Sequence, residues 1–180
     1  MFNWESIPPL VRVPLKYGLL GGLLSVAFFI SFYYFGKHPF LIPPFFDIRI
    51  LLIAIFLFFA LKEMRDSFFD GVLYFWQGMA GCLIYIITMA LFGLAGVFAF
   101  GTFDPGFRTL YVDQGIAQIK SIPPESIAQI GEQAVNEVLN TLPSTTLSQL
   151  AFKYTGQTFT IGFFLTIIIS VILRRQPKNP

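Results

Sequence analysis

Cysteine and histidine are almost missing from this chain: one of each, Cys82 and His38, in 180 residues. A single cysteine excludes an internal disulfide and any multi-cysteine metal site. A single histidine leaves no material for a His-rich metal site or a Ser/His/Asp triad. Charge is scarce too. Charged residues make up 12% of the chain, about half the share of an ordinary soluble domain. The net charge of +2 is too small to suggest nucleic acid, and no basic patch is interleaved with aromatics. No G-x-x-x-x-G-K-[ST] phosphate loop occurs, so no cofactor is expected. Cys82, in an apolar run, reads as a small buried hydrophobe, and His38 as a solvated loop residue.

What is present in excess is oil. Hydrophobic residues make up 55%, and 23 Phe are more than one small water-soluble core can bury. No charge falls between Lys16 and Lys37, between Asp70 and Asp104, or between Lys153 and Arg174. Each run reaches the roughly 20 helical residues that cross about 30 Å of hydrocarbon. A fourth run, Arg49 to Lys62, is short by itself. Pro43-Pro44 can open a helix there, and Phe45, Phe46 and Ile48 extend its apolar body, with Arg49 and Lys62 snorkelling at opposite ends. The expectation is an all-α integral membrane protein, a bundle of four transmembrane helices over about 14–36, 44–64, 71–101 and 153–174. The alternative for Arg49 is a functional intramembrane cation paired with Asp47 or an anionic lipid. No A-x-A-like cleavage site follows "FYYFGKHPF", so the first helix is expected to be retained.

Cationic residues choose the threading. Arg12, Lys16, Lys62, Arg65, Arg174, Arg175 and Lys178 collect on one side as anchors, while Lys37, Arg49, Arg108, Lys120 and Lys153 are spread over longer segments. Both termini are therefore expected in the cytoplasm and the protein in a bacterial inner membrane. Tyr17, Tyr33, Tyr34, Tyr74, Trp76 and Tyr154 fall near span ends, as an aromatic belt requires.

The outer loop, 102–152, opens with an Asp-Pro-Gly turn and a short segment, "DQGIAQIK". "PPESIAQIGEQAVNEVLNTL" then reads as one amphipathic helix, opened by Pro123-Pro124 and closed by "LPS", with Ser144 capping the lead into span four. It carries Glu132 and Glu137 and no cation, so it is not the basic kind that seeks anionic lipid. It folds on the outer ends of the bundle or docks a partner.

Inside the spans no Asp, Glu, Lys or His lies at mid-depth, which argues against a proton-coupled pump. Small residues recur instead: Gly18, Gly22 and Ser25 on span one, then Gly78, Gly81, Gly93 and Gly96 on span three. Such seams let helices approach closely, within the bundle or in a homodimer. Arg49, Gln77 and Gln157 are the polar positions where a ligand would be held; span four, which carries Gln157, is the most polar. In "LKEMRDSFFDG", residues 61–71, Glu63 and Asp66 are placed to pair with Lys62 and Arg65, and Asp70-Gly71 to start span three.

Three stretches taken in order, "LKYGLLGGLLSVAFF", "LKEMRDSFFDGVLYFWQGMAGCL" and "GQTFTIGFFLTIIISVILRR", resemble the four-helix membrane proteins of Bacteroidota gathered as domain of unknown function 4199. The likeness rests on Lys16 to Leu19, then Lys62, Glu63, Arg65, Gly71, Phe75 and Gln77. It implies a bacterial inner membrane and brings no activity with it. The residues favour a non-enzymatic accessory or scaffold subunit, partnered by the bilayer and by another membrane protein or a second copy. A small transporter or a lipid- or solute-binding protein, using Arg49 and span four, is the alternative.

Overall fold

Proline opens the first helix. Pro8 and Pro9 set the backbone for a first turn where a missing N–H costs nothing, and α1 then runs Pro9–Tyr34 in this computed structural model. Residues 4–43 and 46–176 are described by the structure. Asp47 caps α2, Ile48–Glu63, by accepting the Arg49 N–H at 2.9 Å. α3 runs Phe75–Phe103, and Gln77 Oε1 accepts from the Tyr74 N–H at 2.9 Å. α7, Leu147–Leu173, starts with a full capping box: Thr146 Oγ1 accepts from Gln149 N at 3.2 Å and Gln149 Oε1 from Thr146 N at 2.8 Å. Between α3 and α7 lie α4 (Gly106–Lys120), α5 (Pro124–Ile130) and α6 (Glu132–Thr141). Among the described residues the chain is all-α, seven helices and no strand, with one isolated bridge between Leu73 and Arg175.

Helices α1, α2, α3 and α7 run alternately up and down. At the near end, α1 begins, α2 meets α3, and Leu73 and Arg175 exchange backbone hydrogen bonds at 2.9 and 2.8 Å, joining the turn to the tail. At the far end stand α4, α5 and α6. α3 packs on both α1 and α7, and α2 lies between α1 and α7. Glycine sets these approaches. A Cβ on Gly18 would strike Tyr85 and Thr88, and on Gly96, Val26; on Gly22 it would crowd Phe92, on Gly78 Ser170, and on Gly81 Met64 and Pro14. The seam predicted on α1 and α3 thus faces neighbours inside the bundle.

α1, α3 and α7 are long and apolar enough to cross a membrane. Their outward faces carry Leu23, Leu91 and Ile172 at 55%, 59% and 66% exposure, far more oil than a water-soluble surface shows. α2, with 16 residues, is about 24 Å long and falls short of the same length.

Several expected boundaries move, each for a local reason. The span expected at 14–36 starts earlier, at Pro9. The one expected at 44–64 is helical only from Ile48; Pro44 and Phe45 lie outside the described residues. The one expected from 71 starts at Phe75, because Asp70 and Gly71 take φ of 50° and 78° in a left-handed turn. The one expected from 153 starts at Leu147 because Thr146, not Ser144, is the cap. Lys178 lies outside the described residues.

Residues 102–152 differ most from expectation. The segment read as a short piece belongs to α4, whose Phe107, Tyr111 and Gly115 recur every fourth residue and are buried. The single helix expected from Pro123 breaks at Gly131, with φ at 99°, into α5 and α6. Neither piece buries a residue, and Ile130 and Val138 are 56% and 46% exposed. Contact with the bundle is therefore the work of α4.

Candidate functional site

A helix cap starts the site. Asp47 caps α2 and Arg49 follows two residues on, in its first turn, with its side chain reaching α7. Arg49 is 6% exposed. Its Nε donates to both Asp47 oxygens at 2.9 Å, and Nη2 donates to Asp47 Oδ2. Nη2 also reaches Gln157 Oε1 at 2.7 Å. Nη1 donates to the Tyr154 carbonyl at 3.0 Å and to Thr158 Oγ1 at 3.1 Å. The guanidinium lies over the Tyr154 ring, 4.4 Å from its centre. A guanidinium has five N–H donors, and all five are engaged.

Tyr154 carries the network onward. Its hydroxyl is hydrogen-bonded to Ser25 on α1, and a Cβ on Gly93 of α3 would collide with its ring. One knot therefore joins α1, α2, α3 and α7. It lies well inside the bundle: Tyr154 is about 10 Å along α7 from Leu147, and Ser25 about 13 Å along α1 from Tyr34. Beside it a pocket lined by Ser25, Phe29, Phe40, Asp47, Arg49 and Tyr154 has about 30 Å³ of room, enough for one or two waters.

Above the knot, residues 35–43 fold back against α4. His38 is 1% exposed, with its ring centre 4.7 Å from Phe107 and 5.0 Å from Tyr111. Gln114 fastens the segment, donating to the Gly36 carbonyl at 2.8 Å and accepting from His38 N at 2.9 Å. Burial pushes His38 down to about 4, helped by the nearby Lys153 ammonium. The Phe107 carbonyl pulls the other way without closing a hydrogen bond to Nε2, which has no partner. Nδ1 accepts from the Phe40 N–H at 3.3 Å, so the proton of the neutral ring is on Nε2. The solvated loop histidine expected from sequence is buried.

At the near end the charges divide differently from expectation. Glu63 turns away from Lys62 and takes Lys16 from α1, at 2.7 Å, with the Tyr17 hydroxyl donating at 2.7 Å. Arg65 pairs with its neighbour Asp66 at 2.6 Å, holding that carboxyl below its usual range. Arg12 donates to the Glu5 carbonyl at 3.3 Å and covers the Phe68 ring. Lys62, Arg174 and Arg175 are exposed around the same end. Of the polar positions singled out in the sequence, Arg49 and Gln157 meet, and Gln77 stands apart as a helix cap.

Sequence reasoning missed Tyr154, assigned to an aromatic belt and found fully buried, and His38. The Asp-Ile-Arg triplet at 47–49 held the signal for the knot, a cap carboxylate two residues before a cation. No local signal marks His38, because Phe107 and Tyr111 that cover it come from far along the chain.

A family model described as "Protein of unknown function (DUF4199)" matches residues 16–175. No curated protein and no solved structure matches the chain.

Proposed function

The chain belongs to the DUF4199 family of proteins of unknown function, and we propose that it acts as a non-enzymatic accessory or scaffold subunit of an inner-membrane assembly. In this reading four helices span the membrane. α2 is the short fourth span, made up to length by the residues that precede it and fold into the far end. The near end, with Arg12, Lys16, Lys62, Arg65, Arg174 and Arg175, faces the cytoplasm, as an excess of cations favours. α4, α5 and α6 face the periplasm.

One observation carries the reading: the cation deepest in the bundle has no donor left over. All five Arg49 N–H groups are engaged by Asp47, Tyr154, Gln157 and Thr158. A transporter or solute-binding protein built on Arg49 and Gln157 needs those donors for its substrate and would have to break the knot that joins four helices. A scaffold needs the knot intact. α5 and α6, which bury nothing, are the surface left for a partner.

Purification from native membranes in mild detergent tests this. A stoichiometric companion that also recovers this chain when it carries the tag supports the reading, and a lone monomer overturns it. Uptake lost on Gln157→Leu, with the fold retained, would favour the transporter.

A further inference from the structure

Residues 35–43 fold over the junction of α1 and α4 and leave a cleft of about 520 Å³ beside the Arg49 knot. Phe32, Ile42 and Phe46 form an apolar wall, and the same three residues line the smaller pocket next to it, so the apolar strip is continuous. The polar lining is of one kind. Lys37 is exposed, and no carboxylate among the described residues lies within ion-pair distance of it. Gln114 is engaged at both ends of its amide, which leaves Gln118 as the free amide. His38 backs the cleft with its ring and keeps Nε2 buried, closed off from a ligand. No carboxylate lines the cleft.

We infer that this cleft binds an anionic phospholipid of the surrounding leaflet, its phosphate oxygens held by Lys37 and Gln118 and one acyl chain laid on Phe32, Ile42 and Phe46. A cation and an amide N–H at the mouth match a phosphate, and the apolar wall matches a chain entering beside it. The inference rests on the membrane reading above, in which residues 35–43 fold into the far, periplasmic end of the spans. It adds a site that the scaffold role does not require.

The full chain, reconstituted in vesicles of phosphatidylglycerol and phosphatidylcholine in equal parts, is released into mild detergent and weighed by native mass spectrometry. One phosphatidylglycerol is retained, preferred by about fivefold, the factor one cation contributes at a lipid surface. Lys37→Glu abolishes the preference, and Gln118→Leu, which removes the amide donor, weakens it; both positions are exposed. A preference unchanged in both variants overturns the proposal. So does inorganic phosphate that competes the lipid off, which assigns the site to the free anion. Equal retention of both lipids fails this site and leaves the membrane reading standing; a chain that never enters the vesicles fails both.

Discussion

Two ion pairs of similar chemistry sit toward opposite ends of this bundle, and they are built to different standards. Lys16 and Glu63 meet with 43% and 26% of their side chains exposed, while Arg49 and Asp47 show 7% and 18%. The first pair is open to solvent, and the Lys16 ammonium on both Glu63 oxygens with the Tyr17 hydroxyl suffices. The second is largely cut off from water, and there an unmatched donor is costly. Its cation is accordingly supplied with an acceptor for each N–H, drawn from two helices and an aromatic face. Burial, not charge, decides how many partners an ion pair recruits.

The largest effect expected is at the buried pair. Arg49→Met leaves the Asp47 carboxylate without its cation and is expected to cost about 3–5 kcal/mol of unfolding free energy, measured by mixed-micelle titration. Asp47→Asn combined with Arg49→Met is expected to recover most of that loss, since the buried charge goes and Asn still caps α2. A single-variant loss under about 1 kcal/mol would put this pair in the same class as the exposed one.

A proton tests the same end next. An unfolded imidazole takes a proton below about pH 6.5, and His38 in place resists until about 4. Between these values the unfolded chain binds the extra proton. Stability therefore falls as the pH drops through that window, by about 3 kcal/mol in all, and is flat above it. His38→Phe is expected to flatten the slope. An unchanged slope in that variant would assign it to other groups.

Packing around the knot gives a third, smaller contrast. A methyl on Gly93 runs into the Tyr154 ring, whereas one on Gly156 meets nothing within 4 Å. Gly93→Ala is expected to cost about 1–3 kcal/mol through overpacking, and Gly156→Ala to be neutral or gain up to about 1 kcal/mol from helix propensity. Equal effects at the two sites would mean that α3 and α7 move apart freely and that Tyr154 is not held.

These contrasts mark where the sequence was readable. Charge-free runs between Lys16 and Lys37, Asp70 and Asp104, and Lys153 and Arg174 expose the long helices, because hydrocarbon length is a local property of the chain. The glycines on α1 and α3 are legible for the same reason. Arg49 was visible as a cation at the edge of a short apolar run, and its pairing with Asp47 was one of two readings. Its depth was not visible, since that depends on α2 stopping short of the level where α1, α3 and α7 end. The caging of His38 depends on Phe107 and Tyr111, which recur at helical spacing in a segment otherwise mixed in character. The break at Gly131 is a choice of backbone hand that neighbouring apolar spacing conceals.

The smallest effect expected is at the exposed pair, and it decides whether the comparison holds. Lys16→Gln removes the cation from Glu63 but leaves the Tyr17 hydroxyl donating at 2.7 Å and water at the open side. The expected cost is under about 1 kcal/mol, and salt should reduce it further, because charges in contact with water are screened. At the Arg49 knot the same salt titration should change little, since the pair is shielded from counterions. A Lys16 variant as damaging as Arg49→Met would show that the near end is as dry as the far one, and the membrane boundary would then have to lie beyond Lys16, toward Arg12 and Arg65.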